Sequence, residues 1–408
     1  MSYITRDIEN AFLRVSRHFK VVLITGPRQA GKTTMLKRLM EGTGRKYVSL
    51  DDVAMRDLAK TDPDTFCNTF LPPVFIDEVQ YAPELFSYIK MKVDARQQAG
   101  DYWLSGSQIF RLMRGVSESL AGRVGLLDLF PLSQNEMHNH KTCTPLDTDF
   151  DKLAERTKDI PDATPIDIYT RIFNGSLPQL ASGEIEDRER FYQSYVRTYI
   201  ERDVRDLSGD IDVLKFHRFI TSVAARCSQL VNYKSIADDA EIDQVTAKSW
   251  LNIMETLGLI FYLHPFSNNM IKRSIKSPKL YFYDSGLVAY LARWNSIEAL
   301  MNGAQNGALL ENYAISEIKK GYHNCGQTPY LYYYRDKDGK EIDVLWEANG
   351  TLYPLEVKKT SSPDRRVVNA FQVLEKSGKA LGNGGVICLR NDFIPLNREN
   401  SIIPIRCV

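Results

Sequence analysis

Short apolar runs punctuate the first 135 residues at 21–25, 46–50, 73–77, 101–105 and 124–130, and the stretches between them space their apolar residues at helical intervals. Runs that are continuously apolar predict strands buried on both faces, and so a parallel sheet covered by helices: an α/β core. In such a sheet a ligand binds at the carboxyl ends of the strands. From 138 to 165 the chain turns polar and reads as a connector. Residues 185–207 set Phe191, Tyr195, Val196, Tyr199 and Val204 on one face of an amphipathic helix. Helical patterns at 213–229, 233–240 and 244–257, a stop at Gly258 and a strand at 259–263 predict a winged helix-turn-helix. Farther on, a helix around 309–318 precedes alternating runs at 330–335, 340–346 and 352–359, then a helix at 364–377 and a strand at 385–389. This is an α-β-β-β-α-β order with hairpin turns at Asp336–Gly339 and Asn349-Gly350. The pattern predicts four regions, 1–137, 138–210, 211–300 and 301–408.

The first run leads into Gly26-Pro27-Arg28-Gln29-Ala30-Gly31-Lys32-Thr33-Thr34, which contains the G-x4-G-K-[ST] pattern, and then into a helical stretch. Two glycines let consecutive N–H groups turn inward around phosphate oxygens, and the following helix points its positive end at the same anion. Lys32 supplies a point charge for the phosphates, and the Thr33 hydroxyl is a ligand for Mg²⁺. The third run ends in Asp77-Glu78. Asp77 is placed to hold Mg²⁺ through its water shell, and Glu78 to polarise an attacking water. The fourth run ends near Ser105 and Ser107, both candidates for sensing a γ-phosphate, although a plain Ser-Gly turn explains them too. Arg123, just before the fifth run, fits either a γ-phosphate contact, in its own or a neighbouring subunit, or an ordinary surface arginine. Arg202 and Arg205, on the amphipathic helix, have a similar choice between phosphate and i,i+4 ion pairs.

Composition narrows the possibilities. At 408 residues the chain exceeds a single ordinary core, and its net charge of +1 leaves any nucleic-acid surface to be local. Such a surface is offered by the wing-like stretch with Lys272, Arg273, Lys276 and Lys279, which equally suits a solvated loop. No apolar stretch approaches a membrane span and no secretion signal is visible, so a cytoplasmic protein is expected. Six cysteines without a C-x-x-C pair read as reduced thiols. His138, His140 and Cys143 lack a fourth metal ligand and fit a polar loop better.

In the C-terminal region, Glu356 and Lys358 share one face of a strand by the period of two, and Asp343 on the neighbouring strand can turn toward them. Two carboxylates and an amine that converge make a Mg²⁺ site suited to phosphodiester cleavage, with Glu311 of the preceding helix as an added ligand or contact. An acid followed by E-x-K is common by chance, and only its placement on hairpin strands gives it weight.

The segments GPRQAGKTT, FIDEVQ, LSGSQ, SLAGR, KSPKLYFYDSGL, ENYAISEI, YYYRDKDGKEIDVLWE and LYPLEVKK together resemble prokaryotic AAA-superfamily ATPases of the archaeal-ATPase type that end in a domain of unknown function. The resemblance implies that Lys32, Thr33, Asp77 and Glu78 carry nucleotide chemistry. It also implies that the tail is similar to the PD-(D/E)xK nuclease fold, with Asp343, Glu356 and Lys358 in its motif. The strand end at Ser107-Gln108 departs from the pattern, lacking the Asn or Thr often used as a sensor. The expected activity is Mg²⁺-dependent ATP hydrolysis coupled to a winged-helix and nuclease-like arm acting on DNA, in a chain that forms homo-oligomers if a neighbour's arginine is needed. The alternative is a nucleotide-dependent switch whose tail binds DNA or protein without cutting. A small-molecule kinase fits less well, because Glu78 beside Asp77 suits activation of water.

Overall fold

The computed structural model describes residues 3–107, 119–139, 144–209, 211–267, 277–336 and 338–408. The five apolar runs of the N-terminal region form β1 (Val21–Thr25), β2 (Lys46–Ser49), β3 (Val74–Asp77), β4 (Tyr102–Ser105) and β5 (Val124–Asp128). Their sheet is parallel throughout, in the order β2-β3-β4-β1-β5. Every residue of β1, β3 and β4 is buried, which is why these runs carry no polar alternation. The connection out of β1 leads to β2 and that out of β4 to β5, in opposite directions along the sheet. A crevice therefore opens at the carboxyl ends of β1 and β4.

Residues 188–208 are helical but not uniformly so: α-helical turns at Arg188–Tyr195 and Glu201–Ser208 flank a π-helical turn at Val196–Ile200. Three helices follow, Val213–Ala225, Tyr233–Ala240 and Gln244–Thr256, each capped by the side chain of the preceding residue, Asp212, Asn232 and Asp243. The polar connector contains a helix of its own, Phe150–Asp159, capped by Asp149 and anchored by buried Leu153.

The second sheet crosses the expected boundary at residue 300. Its members are β6 (Ile260–Pro265), β7 (Lys279–Phe282), β8 (Tyr330–Arg335), β9 (Glu341–Ala348), β10 (Thr351–Lys358), β11 (Ala380–Leu381), β12 (Gly384–Cys388), β13 (Ile394–Pro395) and β14 (Asn400–Pro404). Along it the order is β13-β14-β12-β10-β9-β8-β6-β7, with β11 paired to β10. The β6–β7 hairpin joins through parallel pairing of His264 with Tyr332 and Pro265 with Tyr333. The middle helices and this sheet share one continuous apolar core, with the long helix Asn306–Asn324 running through it. That helix also holds the first region: Glu317 accepts from the Gln134 amide at 2.7 Å, and buried Lys320 donates to the Leu132 carbonyl at 3.1 Å. Among the described residues no helix is long and apolar enough to cross a membrane, and Cys67, Cys227, Cys325, Cys388 and Cys407 are free thiols.

Candidate functional site

The loop after β1 has the backbone that its glycines allow. Gly26 sits at φ 139° and Gly31 at φ 93°, with Gln29 at φ 60° between them. A Cβ on Gly26 would lie 2.0 Å from the Leu129 carbonyl oxygen, so a neighbouring strand end as well as the turn demands glycine there. Gly31 caps the helix Lys32–Met40, whose first turn faces the crevice. Lys32 is buried, and its Nζ donates to the Gly26 and Pro27 carbonyls at 2.9 and 2.8 Å. Burial pulls its pKa down to about 8, against the pull of Glu78 and Asp77 in the other direction. Arg28, Gln29, Gly31, Lys32, Thr33 and Thr34 line a cleft of about 670 Å³ that Glu78 and Tyr199 also face.

At the end of β3, Asp77 accepts hydrogen bonds from Thr33 Oγ1 at 2.9 Å, from the Tyr47 hydroxyl at 3.2 Å and from the Ser105 hydroxyl. Three hydroxyls hold this buried carboxylate, and among the described residues no ion pair neutralises it, which leaves its negative charge for a metal ion. Thr33 and Asp77 are thus neighbours at one point of the cleft. Glu78 follows at φ 55°, a conformation that turns it off the strand line. Its carboxylate accepts from the Gln80 amide, which also reaches Ser107 Oγ at 3.4 Å. Ser107 is therefore linked to Glu78 through Gln80, and Ser105 to Asp77 directly. Its place two residues after the acid is the only local signal in the sequence for the role of Gln80. Gln108 lies outside the described residues, as do His140 and Cys143. Among the described residues no cluster of His, Cys, Asp and Glu is arranged to hold a metal by itself.

The helical stretch 188–208 does lie over the loop, but it presents an acid. Arg28 donates from Nε and Nη2 to the two oxygens of Asp203, at 2.7 and 3.0 Å, and the Tyr195 hydroxyl donates to the Arg28 carbonyl at 3.3 Å. The hydrogen bond and charge of Asp203 hold Arg28 above its ordinary pKa against burial. Arg202 and Arg205 are exposed and do not line the cleft, and Arg202 instead leans 3.8 Å from Asp203. Behind the loop, Arg6 donates to the Ala30 carbonyl at 2.6 Å and pairs with Glu136 at 2.8 Å. Nothing in the local pattern around Arg6 announces this contact.

Arg123 requires correction for its own subunit. It precedes β5, which runs parallel to β1 with Val124 beside Val21, so it sits at the opposite sheet edge from the loop. A strand of this length spans roughly 15 Å. There Arg123 makes a two-pronged pair with Asp94, at 2.7 and 2.9 Å.

The C-terminal acids do converge. Asp343 on β9 accepts from the Val357 amide at 2.9 Å, and Lys358 Nζ lies 2.7 Å from Glu356 and 3.8 Å from Asp343. Into the same cluster comes Lys279, the first residue of β7, with Nζ 2.5 Å from Glu341, 3.2 Å from Glu311 and 3.8 Å from Asp343. The Tyr281 hydroxyl adds a bond to Glu311 at 2.6 Å. Burial and the charge of Asp343 push Glu311 up to about 7 and Glu356 up to about 8. Read from the sequence, Lys279 belonged to a basic wing; it is instead a buried counter-ion to acids, while Lys272, Arg273 and Lys276 lie outside the described residues. Mg²⁺ demands near-octahedral oxygen at ~2.1 Å. With an ammonium already among Glu311, Glu341 and Asp343, this arrangement does not fit that ion.

Three family models match successive parts of the chain. Residues 18–138 match the family described as "AAA domain", residues 166–298 match "Domain of unknown function (DUF8612)", and residues 306–408 match "Domain of unknown function (DUF4143)". The chain is similar to uncharacterized protein Rv2008c of Mycobacterium tuberculosis, 29% identical over 359 residues that cover 88% of this chain and 74% of the relative. It is also similar to uncharacterized protein MJ1637 of Methanocaldococcus jannaschii, at 23% identity over 386 residues, covering 88% and 79%. Among solved structures, the Walker-type ATPase PABY2304 of Pyrococcus abyssi aligns with a TM-score of 0.44 at 14% identity, over 71% of this chain and 96% of its own. The RuvB Holliday junction branch migration motor of Thermotoga maritima aligns at 0.30 and 17%, over 62% and 85%. The first region is thus similar to AAA domains.

Proposed function

We propose that this chain binds ATP with Mg²⁺ in the cleft beside β1 and hydrolyses it. The observation that carries the reading is the meeting of Lys32, Thr33 and Asp77 at one end of the sheet, with Glu78 facing the same cleft. Lys32 and the loop amides bind the phosphates. Thr33 and Asp77 would hold Mg²⁺, which when bound supplies positive charge against the phosphate oxygens. Glu78 orients a water and takes its proton, and Gln80 positions Glu78. Lys32 spends its protons on loop carbonyls here, so phosphate must replace those acceptors. Purified protein should release phosphate from ATP with Mg²⁺ and without an added acceptor, and Lys32→Ala should lower kcat/KM at least ~100-fold. Turnover unchanged in that variant would overturn the reading, and phosphate transfer only to an added acceptor would favour a kinase.

For the C-terminal region we favour a nucleotide-dependent binding arm over a DNA-cleaving one. Lys279 supports this, since its ammonium occupies the charge that a nuclease would give to metal. Plasmid incubated with the protein and Mg²⁺ or Mn²⁺ should stay intact. Nicking lost in both Asp343→Ala and Glu356→Ala would reverse that preference.

A further inference from the structure

A second cavity, of about 950 Å³, lies away from the nucleotide cleft, where the π-helical turn meets the helices Val213–Ala225 and Ser285–Leu291. Four arginines line it, Arg197, Arg218, Arg226 and Arg293, against two carboxylates, Glu189 and Asp239. In a chain of net charge +1 this is a local concentration of cation. Arg218 is neutralised by Glu241 at 2.5 Å and Arg226 by Asp239 at 2.7 Å. Arg197 and Arg293 are exposed, and neither has a carboxylate partner among the described residues.

Two features single out these unpaired arginines. Arg197 belongs to the π-helical turn, a backbone irregularity that re-aims side chains and recurs at functional sites. Arg293 holds φ 61°, a left-handed conformation directly after a helix where glycine is the easy residue. Two half-buried rings, Tyr290 and Trp294, line the same cavity. Tyr290 stacks on Tyr192 at 5.7 Å, and Trp294 is fixed by its indole N–H bond to Gln305 at 3.0 Å. Guanidinium groups that match phosphate, in one cavity with immobilised aromatic rings that can stack on a base, are the chemistry of nucleotide binding along a strand.

We infer that this cavity binds the phosphate and base of a nucleotide unit, supplied by single-stranded nucleic acid. A free nucleotide offers the same chemistry, and the test separates the two sources. The site does not depend on the reading of the nucleotide cleft.

Fluorescence anisotropy of labelled oligo(dT) and oligo(rU) with the full chain, without ATP, measures the site directly. Charge reversal at both free arginines, Arg197→Glu with Arg293→Glu, should weaken binding at least tenfold. The Arg197→Gln, Arg293→Gln pair should give an intermediate loss with the log Kd against log salt slope lowered by about 1.4, two single-strand phosphate contacts' worth. Arg366→Glu, an exposed site on the C-terminal region, should match wild type. Oligonucleotides that fail to bind while labelled AMP binds the Lys32→Ala protein, with loss in the reversed pair, would assign the site to free nucleotide. Binding untouched by the reversed pair, loss equal to that of Arg366→Glu, or no binding of either oligonucleotide or AMP would each overturn the inference.

Discussion

The nucleotide cleft and the C-terminal acid cluster each bring a buried lysine to a group of carboxylates, and they use it in opposite ways. In the cleft, Lys32 donates to carbonyls while Asp77 is held by hydroxyls, so both charges remain available to a ligand. In the C-terminal cluster, Lys279 lies directly among Glu311, Glu341 and Asp343, and the charges are spent on one another. The same residue types thus make a receptive site or a closed one according to whether neutral groups or opposite charges satisfy them.

The sharpest way to break this contrast is Lys279→Met. Removing the ammonium leaves the acids uncompensated and should cost about 3–5 kcal/mol of stability at neutral pH, read from denaturant unfolding. If stability holds, the cluster is not closed by Lys279. In the cleft, Glu78→Gln should keep ATP affinity while lowering turnover at least ~100-fold, checked by equilibrium binding beside phosphate release. Parallel loss of both would move Glu78 from water activation to binding.

A finer test uses pH. Glu356 has its folded pKa raised to about 8 from 4.5, so the folded state holds that proton more tightly. Its contribution to stability is full below 4.5 and is lost as pH rises through about 8. Glu356→Gln should therefore flatten the fall in unfolding free energy between those limits, by on the order of 1 kcal/mol or more. An unchanged slope would mean that the acids are not coupled as described. The smallest expected effect is that of Arg123→Ala, which should leave hydrolysis within about twofold, since the arginine is at the far sheet edge. A large loss, with the fold intact, would point to the nucleotide of a neighbouring copy.

What the sequence revealed follows the range of each interaction. The loop from Gly26 to Thr34 was legible because backbone turn, charge and hydroxyl lie within one short stretch. The carboxylates of Asp343 and Glu356 were legible through strand alternation. Lys279 was not, because it reaches them only through the pairing of β6 with β8, a contact between distant segments. Asp203 escaped for a similar reason: the helix was visible, but which of its turns would meet Arg28 was set by packing and by the π-helical turn. Arg123 differs, since strand direction alone puts a residue that precedes a parallel strand at the edge away from the loop.

Gly26 answers to two masters, the anion in front and the carbonyl of Leu129 behind. A side chain here collides with the backbone just past β5 before it ever encounters a phosphate. An inactive Gly26 variant would consequently report damaged architecture, and dead protein from that substitution should not be counted as proof of an ATP pocket.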